Sequence, residues 1–196
     1  MAHEVQDHFF RQAKRDGYLS RAAYKLIEID DRKKLLSKGD RVLDCGAAPG
    51  SWLQVAARRV GPKGAVVGID LKPITHRFGE KNISLLQGDL TETAAEQLRD
   101  GGKLFDVVLS DMAPNTTGDR LVDHHGSVRL CDAVLERCVD VLKPGGILVM
   151  KVFEGEAYPD LLQRTRDRFA KVKGFKPKAS RDSSTEMYVI AEGFKG

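Results

Sequence analysis

From Arg41 onward the chain alternates short apolar runs rich in β-branched residues with longer stretches whose apolar positions recur every three or four residues. The short runs predict strands at 41–45 (RVLDC), 65–70 (AVVGID), 83–87 (ISLLQ), 105–110 (FDVVLS), 146–152 (GILVMKV), 174–179 (GFKPKA) and 186–194 (EMYVIAEGF). Helical periodicity falls between them near 51–59, 91–99, 126–142 and 157–171. Strand and helix in regular succession predict an α/β protein, a mostly parallel sheet wrapped by helices on both faces. Ahead of the sheet, SRAAYKLIEIDDRK reads as a helix with Ser20 as its N-cap. Pro144 and two glycines in LKPGG (142–146) end a helix and lead at once into a strand. Lys176-Pro-Lys inside the sixth run places that strand at an edge or breaks it. The polar, basic segment 1–19 is expected to be only partly ordered, leaving 20–196 as one domain.

One position breaks the pattern. Lys151 sits among Ile147, Leu148, Val149, Met150, Val152 and Phe153, all of which call for burial. Composition narrows what such a lysine could serve. At 196 residues and 41% hydrophobic, the chain supports one substantial core. It has no apolar run of membrane-spanning length and no secretory signal, so a cytoplasmic protein without a membrane partner is expected. Cys45, Cys131 and Cys138 have no C-x-x-C spacing, and the last two, on one helical face, read as core. The net charge of +4 is unevenly spread: Lys+Arg against Asp+Glu is nine to seven over 1–40, 14 to 17 over 41–160 and nine to four over 161–196. Basic ends flanking an acidic middle suit a polyanion that touches both.

The acidic middle contains a nucleotide signature. VLDCGAAPGSW (Val42–Trp52) runs from a strand through a glycine-bearing turn into a helix, which aims backbone N–H groups at the crevice beyond the strand end. Gly46 and Gly50 permit close approach of a ligand. Asp70 ends the second strand, where a carboxylate can accept from both hydroxyls of a ribose, and Asp89 follows the third strand, within reach of an adenine edge. Ala48 stands where a dinucleotide fingerprint needs its second glycine, and no Walker lysine is present. S-adenosyl-L-methionine, with a sulfonium and an amino acid in place of phosphates, fits the G-x-x-P-G turn better. Asp111 ends the fourth strand in SDMAPNTTG, so it and Lys151 open onto the same crevice.

Taken in order, SRAAYKL (20–26), LDCGAAPGSW (43–52), GDL (88–90), SDMAPNTTG (110–118), KVFEGE (151–156) and SRDSSTEMYVIA (180–191) resemble the FtsJ/RrmJ ribosomal RNA ribose 2′-O-methyltransferases. The resemblance runs from about Gly17 to the C-terminus. It implies a Rossmann-like, seven-stranded, mostly parallel sheet with an antiparallel last hairpin strand. It places a catalytic set on Lys25, Asp111, Lys151 and Glu186. A cofactor site follows from the motifs at Gly46, Pro49, Gly50, Trp52, Asp70, Asp89 and Asp111, with no metal. Lys151 is then the general base for a ribose hydroxyl, with burial and a second cation such as Lys25 favouring its neutral amine. Asp111 is assigned to positioning and Glu186 to orienting Lys25 or the hydroxyl. Two departures are Ser51 where a second glycine is usual and Cys45 where leucine is usual.

The resemblance further implies a uridine of large-subunit (23S) ribosomal RNA as substrate, met within the large ribosomal subunit by a monomer. Transfer RNA, other RNAs and a non-catalytic ribosome-assembly factor stay open as alternatives. A nicotinamide oxidoreductase is disfavoured by Ala48. Arg11, Lys14, Arg15, Arg21 and Lys38 at one end, and Lys176, Lys178 and Arg181 at the other, are the candidate phosphate contacts. Tyr18 and Phe153 are candidates for base stacking, with core packing favoured for Phe153. His124 and His125 are expected at the surface.

Overall fold

A computed structural model describes residues 2–180 and 184–196, with side chains from residue 8 onward. Its strands are β1 (Arg41–Cys45), β2 (Ala65–Asp70), β3 (Ile83–Gln87), β4 (Phe105–Ser110), β5 (Leu142–Phe153), β6 (Phe169–Phe175) and β7 (Glu186–Phe194). Its helices are α1 (Ala2–Arg15), α2 (Ala22–Lys33), α3 (Ser51–Val60), α4 (Ala95–Leu98), α5 (Arg120–Val141) and α6 (Tyr158–Arg168). The sheet runs β3-β2-β1-β4-β5-β7-β6, with β7 antiparallel to both of its neighbours. The chain starts in the middle, steps outward to β3, and returns to β4 on the other side of β1. That reversal leaves a crevice beyond the carboxyl ends of β1 and β4.

Strand residues alternate between two cores. Leu43, Val108, Leu148, Met150 and Val152 pack with Val128, Cys131, Leu135 and Leu161 of α5 and α6. Val42, Val107, Leu109, Val149, Tyr188 and Ile190 pack with Leu26, Ile29, Trp52 and Leu53 of α2 and α3. The central strands β1, β2, β4 and β5 are apolar on both faces because each face is covered, whereas the edge strands β3 and β6 are largely exposed. The three cysteines are buried and free, and burial pushes the Cys131 and Cys138 thiols up to about 12.

Several elements differ from the sequence reading. The sixth strand is Phe169–Phe175 rather than 174–179, and α6 ends at Arg168 rather than near 171. Leu161, Thr165 and Phe169 keep helical spacing, which hides the change, but Phe169 instead packs on Phe194 and its strand pairs with β7. The edge position was correctly anticipated. Helix α5 begins at Arg120 rather than 126, because Asp119 accepts from the N–H groups of Leu121 (2.8 Å) and Val122 (3.2 Å). Gly126 therefore lies inside the helix, where an added Cβ would press on Pro114. Helix α4 is shorter than expected, since Asp89 holds Thr91 and Thr93 in a turn ahead of it.

The N-terminal segment makes contacts of its own with the domain. Residues 2–15 form a helix, Ala13 is buried, and Phe9 packs on Tyr24. Leu19 N–H donates to Gln54 Oε1 (3.0 Å) and Gln54 Nε2 to the Gly17 carbonyl (3.0 Å). Gln54 of α3 thus holds both sides of the turn that ends the segment. A Gly126→Val substitution should destabilise the fold by about 1–3 kcal/mol through crowding against Pro114, read as a lower urea midpoint at unchanged slope.

Candidate active site

The period of two along a strand decides which polar groups meet. Asp44 on β1, Asp111 just after β4, Lys151 on β5, and Glu186 and Tyr188 on β7 share the face covered by α2 and α3, continuing the rows of Val42, Leu109, Val149 and Ile190. The buried face of α2 presents Lys25 with Ala23, Leu26 and Ile29. The last β4–β5 pair is Ser110 with Met150, and β5 then runs three residues further beside β7 alone, pairing Lys151 with Tyr188 and Phe153 with Glu186.

Lys151 therefore emerges where its neighbour strand has ended, and its side chain is only 7% exposed. Its Nζ donates to the Asp111 carbonyl at 2.6 Å and lies 3.1 Å from Asp111 Oδ1. The same Oδ1 accepts from Tyr188 Oη at 2.6 Å. Burial, and then the Asp111 charge, push the Tyr188 phenol well up, which keeps it a donor. Beside this group, Lys25 Nζ donates to Glu186 Oε2 at 2.7 Å and sits 5.9 Å from the centre of the Tyr188 ring. Burial alone would raise the Glu186 carboxyl, but Lys25, followed by Lys151 and Arg21, pulls it below the usual range. The four expected residues are thus together, organised as two lysine–carboxylate pairs around Tyr188. Tyr188 was not singled out in the sequence, although its alternation with Glu186 and Ile190 places it on the site's face.

A cavity of about 330 Å³ adjoins the Asp111 end of this cluster. Gly46, Asp70, Asp89 and Asp111 line it, with apolar Leu90 and Met112. The backbone fixes both oxygens of Asp70: Oδ2 accepts from Ala48 N–H (2.9 Å) and Oδ1 from Lys72 N–H (2.8 Å). Asp89 Oδ1 accepts from Thr91 N–H and Oγ1, both at 2.7 Å, which lowers its carboxyl. Gly46 has φ +75°, and a Cβ there would collide with Met112. The other expected cofactor residues hold the turn. Gly50 lines neither this cavity nor the smaller one beside it; with φ +114° it begins α3 against Phe78. Trp52 donates from Nε1 to the Ala22 carbonyl (2.9 Å) and stacks on Tyr188, while Pro49 and Trp52 line the smaller cavity of about 50 Å³.

That smaller cavity holds a residue the sequence reading passed over. Asp44 is 1% exposed, and neither carboxylate oxygen has a hydrogen-bond partner among the described residues. Burial, then the charges of Asp111 and Asp70, push its carboxyl well above the usual range. An unpartnered buried acid is costly, and a hydrogen-bond donor, most effectively a cation with N–H groups, would relieve it. Asp111, Gly46 and Ala48 line both cavities, so such a cation would lie between the nucleoside-sized space and Lys151.

The basic residues divide. Lys176 and Lys178 are exposed just beyond β6, level with Lys151 across β7, and Arg21 stands close enough to influence Glu186. Arg11, Lys14 and Arg15 are exposed on α1. Lys38 precedes β1 and bonds the Arg58 carbonyl, so it lies at the opposite end of the sheet from the crevice. Arg181 falls outside the described residues. Tyr18 already carries the Arg58 guanidinium on its ring at 4.9 Å, and Phe153 is half-buried. His125 is partly exposed, but His124 is buried at 3%. Among the described residues, no cluster of His, Cys, Asp or Glu is arranged to hold a metal, and no helix is long and apolar enough to cross a membrane.

Comparison with known proteins connects this arrangement to a family. A model of the FtsJ-like methyltransferases matches residues 18–194. The chain is 51% identical over 191 residues to the ribosomal RNA large subunit methyltransferase E of Syntrophobacter fumaroxidans, covering 97% of this chain and 96% of that one. Its identity to the protein of the same name from Methanothermobacter thermautotrophicus is 42% over 197 residues, covering 100% and 93%. A crystal structure of a ribosomal RNA methyltransferase from Plasmodium falciparum matches at TM-score 0.79 and 30% identity, covering 91% of this chain and 100% of that one. Fibrillarin from Aeropyrum pernix, solved with natively bound S-adenosyl-L-methionine, matches at TM-score 0.60 and 18% identity over 80% of this chain and 68% of its own, a likeness of fold alone.

Asp44 yields a prediction with a definite sign. An acid whose folded-state pKa is raised costs nothing below its ordinary value of 3.8, and costs progressively more as pH climbs toward the raised value. Asp44→Asn should therefore gain stability relative to wild type as pH rises from about 4 in cofactor-free urea melts. A difference constant from pH 4 to 8 would contradict the assignment.

Proposed function

This chain belongs to the FtsJ-like methyltransferase family, and on that premise we propose that it methylates the ribose 2′-hydroxyl of a uridine in large-subunit (23S) ribosomal RNA, with S-adenosylmethionine as donor. The observation that carries the chemistry is the buried Lys151 amine, pinned 2.6 Å from the carbonyl of Asp111, which lines a cavity together with the strand-end carboxylates Asp70 and Asp89. The choice of RNA draws support from relatives named as large-subunit methyltransferases that align along nearly their full length. The substrate is met within the large ribosomal subunit, by a single copy of the chain in the cytoplasm.

The residues present fit this cofactor. Asp70, its orientation set by two backbone donors, suits the vicinal hydroxyls of a ribose, and Asp89 stands at the adenine end. Leu90 and Met112 give the base an apolar bed, and the absent Gly46 side chain leaves room beside the loop. Asp44 takes the ammonium of the amino-acid portion, which answers its orphaned oxygens. Pro49, Gly50 and Trp52 keep the turn in shape rather than touching the nucleoside. When bound, S-adenosylmethionine supplies an electrophilic methyl group carried on a sulfonium.

The chain's own work is to produce the nucleophile. A ribose hydroxyl attacks only as its proton leaves, and Lys151 in its neutral form accepts that proton at Nζ. The Asp111 carbonyl and carboxylate fix where Nζ sits, and Tyr188 fixes the carboxylate. Glu186 anchors Lys25 over the same face, where the ammonium can hold the ribose oxygen as charge develops on it. Arg21, Lys176 and Lys178 lie on the side from which RNA would enter and offer phosphate contacts independent of sequence.

Two measurements test this reading. Lys151→Ala should lower single-turnover methyl transfer to large ribosomal subunits by about 10²–10⁴-fold, with label from the wild-type reaction recovered on a uridine 2′-oxygen. Label on a base, or none at all, would overturn the assignment. Asp70→Ala should weaken S-adenosylmethionine by about ten- to a hundredfold in calorimetry, since it leaves ribose hydroxyls unpaired.

A further inference from the structure

The part of β5 that carries Lys151 has no strand on its β4 side, and three side chains of α5 take the missing strand's place. Cys131 Sγ donates to the Lys151 carbonyl at 3.1 Å. Phe153 N–H donates to Ser127 Oγ at 3.0 Å, and His124 Nδ1 bonds the Phe153 carbonyl at 2.7 Å. Those atoms belong to residues 151 and 153, whose backbone groups would have continued the ladder to β4. Ser127 Oγ donates its own proton to the His124 carbonyl at 2.7 Å, so toward Phe153 N–H the hydroxyl acts as the acceptor.

The ring of His124 is used at both nitrogens. Nδ1 faces a carbonyl, which accepts only, so Nδ1 carries the proton. Nε2 faces the N–H of Ala157 at 3.0 Å, which donates only, so Nε2 accepts. One ring thereby spans the turn from Phe153 to Ala157, and Gly155 lies flat on it where a Cβ would collide with the ring. On the outer side His125 Nε2 meets Glu156 at 3.1 Å. The same first turn of α5 holds the loop after Asp111, since Asp123 accepts from Thr117 N–H (2.8 Å), Thr117 Oγ1 (3.0 Å) and Gly118 N–H (3.3 Å). None of these α5 groups lines the cofactor cavity.

We propose that His124, with Ser127, is a positioning residue for methyl transfer: it locks the unpaired end of β5 and so fixes the Lys151 amine against Asp111. The proposal rests on the reading of Lys151 as the base. It distinguishes the two halves of the ring, because asparagine at 124 can still offer an N–H where Nδ1 stands, whereas glutamine reaches only the Nε2 position. Misplacement of a reacting group by about 1 Å costs up to about a hundredfold in rate, so loosening one anchor should cost on the order of tenfold.

The test compares single-turnover methyl transfer at saturating cofactor, and cofactor affinity by calorimetry, for wild type, H124N, H124Q, H124L, S127A and K151A. Expected are rates about tenfold down in H124Q and H124L, about three- to tenfold down in S127A, and within about threefold of wild type in H124N, all with unchanged cofactor affinity. Wild-type rates in H124L and S127A beside an inactive K151A would overturn the positioning role alone. Loss of cofactor affinity in step with rate would also overturn it, since that marks general damage. A wild-type rate in K151A would instead sink the reading of Lys151, whatever the His124 variants do. If H124L does not fold, S127A and the contrast between H124N and H124Q decide the matter.

Discussion

Everything at the site depends on β5 outrunning β4 by three residues. Ser110 and Met150 form the last shared rung, and beyond it the chain after β4 turns away and exposes Asp111. Lys151, the first residue past that rung, finds a backbone carbonyl and a carboxylate where a strand would have been. A lysine one residue earlier would point into the core under α5, and one two residues earlier would face a paired neighbour. The offset between two strand ends creates a place where an amine can be nearly buried and still be hydrogen-bonded.

The strand's other side gives it rigidity. β7 runs antiparallel along the whole extension and contributes Tyr188 opposite Lys151 and Glu186 opposite Phe153. Antiparallel pairing lets a C-terminal strand lay two functional side chains beside the end of a parallel sheet. Charges on this face are then met in pairs, Lys151 with Asp111 and Lys25 with Glu186, except at Asp44. A buried carboxylate with no partner is a defect in a resting protein and an asset in one that binds a cation.

The sequence made the sheet legible because both faces of its central strands are covered, so those strands read as continuous apolar runs, and five of seven strands match residue for residue at 41–45, 65–70, 83–87, 105–110 and 186–194. What it hid followed from elements changing type without a change of period. Phe169 kept helical register while joining a strand, and Gly126 read as a boundary although it sits inside α5 against Pro114. The four site residues were placed by motif resemblance, since Lys25 and Glu186 are 161 positions apart and meet only through the fold. Asp44 and Tyr188 escaped notice because each sits among apolar neighbours and acts through what it touches, which a pattern of residue types does not display, and His124 was expected at the surface because its polar neighbours Asp123 and His125 gave no sign of its burial.

The central claim is that Lys151 takes the proton from the ribose hydroxyl. The most direct measurement is the pH dependence of the single-turnover rate, with RNA and cofactor both saturating, for wild type and Lys151→Met. A single base predicts that log rate rises with unit slope on the acid side in wild type, and that the residual rate of the variant is flat over the same range. An unchanged slope in Lys151→Met would show that another group takes the proton, and would leave Lys151 as a structural partner of Asp111.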